Sequence, residues 1–166
     1  MQFPTLPQNL LDDSSDASGV RLHVEHADAP VLDATALGVW LRAVATQRGY
    51  ALHRLTYVLV SDDALHAMNV EYLAHDTLTD IITFDLRDDP SAAVVEGECY
   101  ISLDRVRDNA AAFGELARAT RLEDPVEEEL QRVMAHGLLH LCGLGDKSPA
   151  EAAAMRAAED AALALR

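Results

Sequence analysis

The chain has 166 residues, of which 49% are hydrophobic, and this size suits one domain with a substantial core. Its 13 lysines and arginines against 28 aspartates and glutamates give a net charge of −15, which argues against a broad nucleic-acid-binding surface. No apolar run approaches the ~20 residues that cross a bilayer, and the first residues show no secretory pattern. The two cysteines form no CxxC motif, so we expect a cytoplasmic protein without membrane contact.

The first half of the chain predicts a tail followed by alternating strands and helices. Two prolines and a run of aspartates and serines predict a flexible tail at 1–18, and hence a domain at 19–166. Asp33 and Ser61 are the predicted N-caps of the two helices in this half. Apolar periodicity predicts strands at 19–25 and 52–60, and helices at 34–48 and 62–73.

The second half predicts two further strands and three helices. Asp104 is the predicted cap of a helix that runs through Ala119, and Ser148 and Glu151 form a capping signal for the final helix. The strands are expected at 80–84 and 94–103, and the last two helices at 127–141 and 149–165. This order predicts a single α+β domain with a roughly four-stranded mixed sheet and about five helices packed on it.

The most informative stretch is residues 134–147, where a predicted helix ends in a glycine-containing turn. His136 and His140 stand four residues apart, so their imidazoles lie on one helical face and can converge on one ion. The glycines permit a tight turn that returns Asp146 toward the two imidazoles. Three such ligands and an open position for water describe a catalytic metal site, which explains the spacing better than helix packing does.

This segment resembles the signature of the YbeY family, H-G-x-L-H-L-x-G-x-x-H. The matching positions are His136, Gly137, Leu139, His140, Leu141 and Gly143. The last histidine of the pattern falls on Asp146, so the chain resembles a subtype with aspartate as the third ligand. YbeY proteins are metal-dependent endoribonucleases that mature ribosomal RNA, and the resemblance implies one Zn²⁺ per chain on His136, His140 and Asp146.

A second stretch, residues 69–84, is similar to the family pattern N-x-x-[YF]-R-x-x-D-x-x-T-[DN]-[VI]-[LI]-[ST]-F, with unbroken spacing. Its main departure is Leu73, which stands where most members carry an arginine. A leucine can neither hold a phosphate nor offset the negative charge that develops on it. His75 and Lys147, the one lysine of the chain, are the residues predicted to bind substrate instead.

For the other matching residues, structural roles explain the sequence at least as well as functional ones. Asp76 and Thr79 can hydrogen-bond to the backbone of a helix-to-strand loop, and Asn69 is expected to make a buried hydrogen bond. Gly97-Glu98 resembles the family strand G-D-I-x-I with Glu98 in place of aspartate. A strand glycine where two backbones approach closely is the preferred interpretation there.

Three functions are compatible with these residues. The resemblance implies a zinc-dependent single-strand endoribonuclease in ribosomal RNA maturation and ribosome assembly or quality control. A zinc metallohydrolase of peptides or small substrates is disfavoured, because Gly137 occupies the position at which H-E-x-x-H peptidases carry their general base. A non-catalytic ribosome-assembly factor with a structural metal is favoured by Leu73. No general base stands out among Asp80, Glu98 and Glu128.

The expected partners follow from the same resemblance. It implies ribosomal RNA or 30S-related ribosomal particles, with a ribosomal protein or a GTPase as further candidates, and neither membrane nor DNA. The acidity leaves two explanations open. Either RNA is contacted through a local arginine patch, a partner protein or the metal, or the charge is an adaptation to a salty cytoplasm.

Overall fold

A computed structural model describes residues 19–117 and 124–166 of the chain. The tail predicted at 1–18 and the end of the helix predicted to reach Ala119 lie outside these ranges. None of the helices within them combines the length and apolarity that a bilayer span requires. The described elements are β1 (Val20–Val24), α1 (Ala34–Gln47), β2 (Ala51–Val60), α2 (Asp62–Leu73), β3 (Ile81–Asp85), β4 (Val94–Ser102), α3 (Leu103–Ala117), α4 (Pro125–Leu141) and α5 (Pro149–Leu163).

The four strands form one mixed sheet in the order β1-β2-β4-β3. β1 pairs with β2, and β2 with β4, in parallel, whereas β3 runs antiparallel to β4 with Ile81 opposite Ile101 and Asp85 opposite Gly97. The α+β class and the mixed four-stranded sheet predicted from the sequence are confirmed. This order leaves β3 at one edge of the sheet, where it packs against α4.

Helices cover both faces of the sheet. On one face the helices α1, α4 and α5 bury a large apolar cluster in which Leu41, Leu55 and Met134 have no exposed surface. The buried Tyr57 hydroxyl donates a 2.8 Å hydrogen bond to the Met134 carbonyl, which ties β2 to α4. On the other face α2 packs Leu65 into a smaller cluster. The helix that carries the two histidines therefore lies in the larger core.

Two glycines let α4 lie close against the sheet. A Cβ atom at Gly137 would lie 2.8 Å from Cys99 Sγ and 2.8 Å from Ile81 Cδ1. A Cβ atom at Gly97 of β4 would lie 2.7 Å from Leu141 Cδ1. Both distances are below those that real Cβ atoms make, so a side chain at either position would force its neighbours to shift. A Cβ atom at Gly97 would also lie 2.8 Å from the Phe84 carbonyl oxygen of β3, which confirms the expected close approach of two backbones there.

The beginning of α3 differs from the prediction. The helix begins at Leu103, and the Ser102 hydroxyl accepts the Arg105 N–H at 3.1 Å, so Ser102 and not Asp104 caps it. Asp104 lies in the first turn, where a carboxylate is also favoured by the helix dipole. Its carboxylate instead accepts the Asp62 N–H at 2.8 Å, which satisfies a free donor at the start of α2.

Candidate metal centre

The structure brings the three predicted metal ligands together at one end of α4. The Nε2 atoms of His136 and His140 lie 2.9 Å apart. Asp146 Oδ2 lies 3.5 Å from His136 Nε2 and 3.3 Å from His140 Nε2. Two atoms bound at about 2.0–2.1 Å to a tetrahedral zinc are about 3.3–3.4 Å apart. The triangle of donor atoms is close to this size, although the two Nε2 atoms lie nearer to each other than a tetrahedral zinc ion would hold them, so the three residues could bind a metal ion.

The turn that returns Asp146 depends on one glycine of the two that were predicted to shape it. Gly143 has φ +90°, the left-handed region that ends a helix without steric cost only for glycine. The Leu144 N–H donates back to the Leu139 carbonyl at 3.1 Å and closes the turn. Gly145 is not left-handed, but a Cβ atom there would lie 3.0 Å from Glu151 Oε1 and would press on that carboxylate.

The start of α5 fixes the loop that carries the third ligand. The predicted capping box is present: the Ser148 hydroxyl accepts the Glu151 N–H, and the Glu151 carboxylate accepts the Ser148 N–H at 2.9 Å. The same carboxylate accepts the Lys147 N–H at 3.1 Å. These backbone hydrogen bonds hold the pKa of Glu151 below its ordinary value. Asp146 is thus anchored by its neighbours in the chain.

Hydrogen bonds on the far side of each imidazole set which nitrogen faces the centre. His136 Nδ1 lies 2.7 Å from Glu159 Oε1, and His140 Nδ1 lies 2.8 Å from the Leu144 carbonyl oxygen. Both partners only accept, so Nδ1 carries the hydrogen and each neutral ring turns a lone pair of Nε2 toward the other. When both rings are neutral, the two lone pairs beside the Asp146 carboxylate repel unless a proton or a metal cation lies between them, so the arrangement suits a metal ion.

Glu159, which the sequence analysis did not identify, is buried behind His136. Its second oxygen faces Arg132 Nη1 at 3.3 Å and Arg156 Nη1 at 3.4 Å. Burial opposes its charge, but the hydrogen bonds with His136 and Arg132 outweigh burial and hold its pKa below the ordinary value. For His136, burial would lower the pKa, yet the interaction with Glu159 leaves that pKa raised.

A signal for Glu159 is present in the sequence. Glu159 follows Met155 by one helical turn and precedes Leu163 by another, so it lies on the buried stripe of α5. A carboxylate at an apolar position of an otherwise regular amphipathic helix requires a buried partner. That pattern, and not the spacing of the histidines, indicates a residue behind the metal site.

The three ligands lie in an open cleft of about 610 Å³ between α4, β3 and the end of α2. Of the two residues predicted to bind substrate, Lys147 lines this cleft and His75 does not. His75 is exposed, and its N–H donates to the Asn69 carbonyl at 3.2 Å. Leu73 lines the cleft and is 43% exposed.

Among the three acidic residues considered as general bases, only Asp80 lines the cleft. Burial raises its pKa above the ordinary value, while the neighbouring His136 opposes that rise. Glu98 precedes Cys99, which faces α4, so Glu98 points to the opposite face of the sheet. There it accepts a 3.3 Å hydrogen bond from the Tyr100 hydroxyl.

The loop between α2 and β3 is held by polar side chains. As expected, Asn69 is buried, and its Nδ2 donates to the Thr77 carbonyl at 2.8 Å. The Thr79 hydroxyl donates to the backbone carbonyl two residues further on at 3.2 Å, which confirms its predicted role in the loop. The prediction for Asp76 is wrong: its carboxylate contacts the His66 side chain at 2.8 Å instead of the backbone.

Comparisons with known proteins agree with the family resemblance seen in the sequence. The family model for endoribonuclease YbeY matches residues 26–165. A protein named endoribonuclease YbeY from Cytophaga hutchinsonii is 46% identical over 127 residues, which cover 76% of this chain and 81% of that protein. One of the same name from Porphyromonas gingivalis is 40% identical over 88% of this chain and 89% of its own length. A Thermotoga maritima solution structure superposes with a TM-score of 0.58 at 25% identity, covering 88% of this chain and 87% of that one.

Proposed function

The chain belongs to the endoribonuclease YbeY family, and on that premise we propose that it is a zinc-dependent endoribonuclease of ribosomal RNA maturation. The observation that carries the proposal is the convergence of His136, His140 and Asp146 in an open cleft within the matched residues. Three ligands in an accessible cleft are typical of a catalytic metal site, whereas structural zinc sites are closed by four protein ligands.

The residues around the cleft have separate roles in the proposed phosphodiester hydrolysis. A bound zinc ion would supply Lewis acidity toward a phosphoryl oxygen and toward water. Glu159 and the Leu144 carbonyl keep the two imidazoles oriented with Nε2 toward the cleft. Asp80, held at the cleft wall beside His136, is the candidate group to accept or deliver a proton. Lys147 is the cation available at that wall to hold a phosphate.

Close packing at Gly137 argues against the peptidase alternative. Peptidases of the H-E-x-x-H type need a glutamate beside the first histidine, directed at the reacting water. Here that position faces the sheet, with Cys99 Sγ and Ile81 Cδ1 each 2.8 Å from a hypothetical Cβ atom. A glutamate would therefore meet β3 and β4 rather than the cleft.

The test is cleavage of a labelled single-stranded fragment of a ribosomal RNA precursor by zinc-loaded protein. We expect cleavage that disappears in His136→Ala and after chelation, and that persists in His53→Ala, a control at an exposed histidine of β2. Cleavage that persists in His136→Ala would reveal a contaminating nuclease. Zinc-loaded protein that binds metal but leaves RNA intact would favour the assembly factor, and hydrolysis of a quenched peptide would favour the peptidase.

The same proposal extends to the partners. We propose that the RNA is presented within 30S-related ribosomal particles in the cytoplasm, with a ribosomal protein or a GTPase as an accessory partner. The net charge of −15 supports this arrangement, because such a chain gains little affinity from free RNA alone. Co-sedimentation of the protein with isolated precursor particles, compared with naked RNA of the same sequence, tests it.

A further inference from the structure

The two imidazoles of the metal centre are held from behind by partners of different kinds. His140 uses the Leu144 carbonyl, a backbone group of its own turn. His136 uses the side chain of Glu159, which lies 23 residues away on α5. The backbone partner comes with the fold of the turn, whereas the side-chain partner can be changed by one substitution. The role of Glu159 is thus open to a direct test.

We propose that Glu159 is a positioning residue, which fixes the tautomer and the orientation of His136 so that its Nε2 atom is ready to bind the metal. The inference rests on the metal site of the proposed function but not on RNA cleavage. Without an acceptor behind Nδ1, the neutral imidazole can place its hydrogen on Nε2, and that tautomer cannot bind a metal through Nε2.

The surroundings of Glu159 hold its carboxylate in one position. Only 8% of the side chain is exposed, and Oε2 is engaged by Arg132 and Arg156. Oε1 is therefore left for His136, at 2.7 Å. A buried carboxylate with a cation on one oxygen and an imidazole N–H on the other has little freedom to rotate. Its position in turn limits the rotation of the His136 ring.

The adjacent Asp160 provides a matched control on the same helix. Asp160 Oδ1 accepts a 2.8 Å hydrogen bond from Arg132 Nη1, as part of the same cluster, but its side chain is 61% exposed. Its described contact is with Arg132, and the hydrogen bond to His136 Nδ1 comes from Glu159 instead. Glu159→Gln and Asp160→Asn each remove one negative charge and one carboxylate partner of Arg132. The two variants differ in whether the changed group touches a metal ligand.

The experiment measures zinc affinity by competition with a chromophoric chelator. For Glu159→Gln we expect an affinity about 10–100-fold below wild type, the usual effect of losing a partner of a ligating histidine. For Asp160→Asn we expect a change within about threefold, because an exposed ion pair contributes little. Thermal melting of the metal-free proteins accompanies each measurement and reports on the fold.

A second readout follows the tautomer itself. In metal-free protein with ¹⁵N-labelled histidine, long-range ¹H–¹⁵N spectra at pH about 9 distinguish Nδ1–H from Nε2–H imidazoles, since the rings are neutral there. We expect His136 to be Nδ1–H in wild type and to shift toward Nε2–H in Glu159→Gln, because Arg132 and Arg156 donate to the amide oxygen and leave the amide NH2 group, a donor, facing Nδ1. His140 keeps its backbone acceptor and should remain Nδ1–H in both, as an internal reference.

Three results would overturn the inference. They are wild-type zinc affinity in Glu159→Gln, an equal loss of affinity in Asp160→Asn, and a loss that follows a lower melting temperature while the His136 tautomer stays unchanged. The last result would assign Glu159 to the fold alone. Zinc-loaded wild type that fails to cleave RNA would refute the nuclease, but the affinity and tautomer results would still decide the role of Glu159.

Discussion

The two walls of the cleft are built in opposite ways. On the metal wall, formed by α4 with α5 packed behind it, donors and acceptors are paired and buried, as with Glu159 between His136 and two arginines. On the facing wall, at the end of α2, the apolar side chain of Leu73 is 43% exposed. We therefore expect substitutions on the metal wall to change metal binding or packing, and the Leu73 substitutions to change mainly what the cleft binds.

The largest effect is expected from removing the third ligand. Asp146→Ala should lower zinc affinity by more than the about 100-fold upper range for changes behind a ligand, because a coordinating atom is lost. Mass spectrometry should find about one zinc per chain in wild type and little in the variant. Asp88→Ala, at an exposed aspartate of the β3–β4 loop, is the control for the change in charge. Unchanged zinc content in Asp146→Ala would show that another residue completes the site.

A second substitution tests how tightly the metal wall is packed. Gly137→Ala should destabilise the protein by about 1–3 kcal/mol, because the added methyl group meets Cys99 and Ile81. The shift in urea midpoint at unchanged m-value measures this loss. A variant as stable as wild type would mean that α4 can move away from the sheet without cost.

The buried thiol of Cys99, on β4 beneath α4, makes the free energy of unfolding of the protein sensitive to high pH. Burial raises the pKa of Cys99 to about 12, whereas the pKa of a thiol in the unfolded chain is about 8.5. Between these values the folded state binds more protons than the unfolded state, so stability falls as pH rises. The slope from this thiol is at most about 1.4 kcal/mol per pH unit.

Urea unfolding at pH 7 and at pH about 10 measures that slope. The alkaline loss should be smaller in Cys99→Ala than in wild type, although the variant starts from lower stability because it leaves a cavity. Cys142 is retained in both proteins as the reference thiol. Identical alkaline losses would show that Cys99 is not protected by the fold.

The smallest effects are expected at the cleft walls that face RNA. Lys147→Ala should reduce the slope of log affinity against log salt by about 0.7, because one phosphate contact is lost. Leu73→Arg should increase it by about 0.7, since an exposed position accepts a cation without repacking. Leu73→Gln separates charge from side-chain length. The slopes come from RNA binding with His136→Ala as the background, so that substrate is not consumed.

A salt slope that does not change in Lys147→Ala would place the RNA phosphates away from this part of the cleft. Opposite shifts in the two charge variants would place the phosphates between the two walls. Weaker binding in Leu73→Gln at an unchanged salt slope would assign an apolar contact to Leu73, in the absence of a charge at that position.

What the sequence predicted here is what local rules determine. The four-residue spacing of His136 and His140, the caps at Asp33 and Ser61 and the left-handed Gly143 each depend on a few neighbouring residues. The order of strands and helices follows from the periodicity of apolar residues within each segment, which is also a local property.

The features that were missed depend on contacts between distant elements. Glu159 faces His136 only once α5 has packed on α4, and Asp104 accepts the Asp62 N–H of α2 only because β2 and β4 are adjacent. The sequence marks Gly137 as lacking a base, but its contact with β3 and β4 arises from tertiary packing. In each case the contact joins residues that no spacing rule in the sequence connects.

The dependence of the metal centre on α5 also has a consequence for local unfolding. Because α5 provides Glu159 and, through Glu151, anchors the loop of Asp146, an excursion in which α5 detaches dismantles the site. A ligand that binds only the assembled site then opposes the detachment of α5 by the free energy of its own binding. Hydrogen exchange of the α5 amides should therefore slow when zinc is added, although α5 itself contributes no ligand.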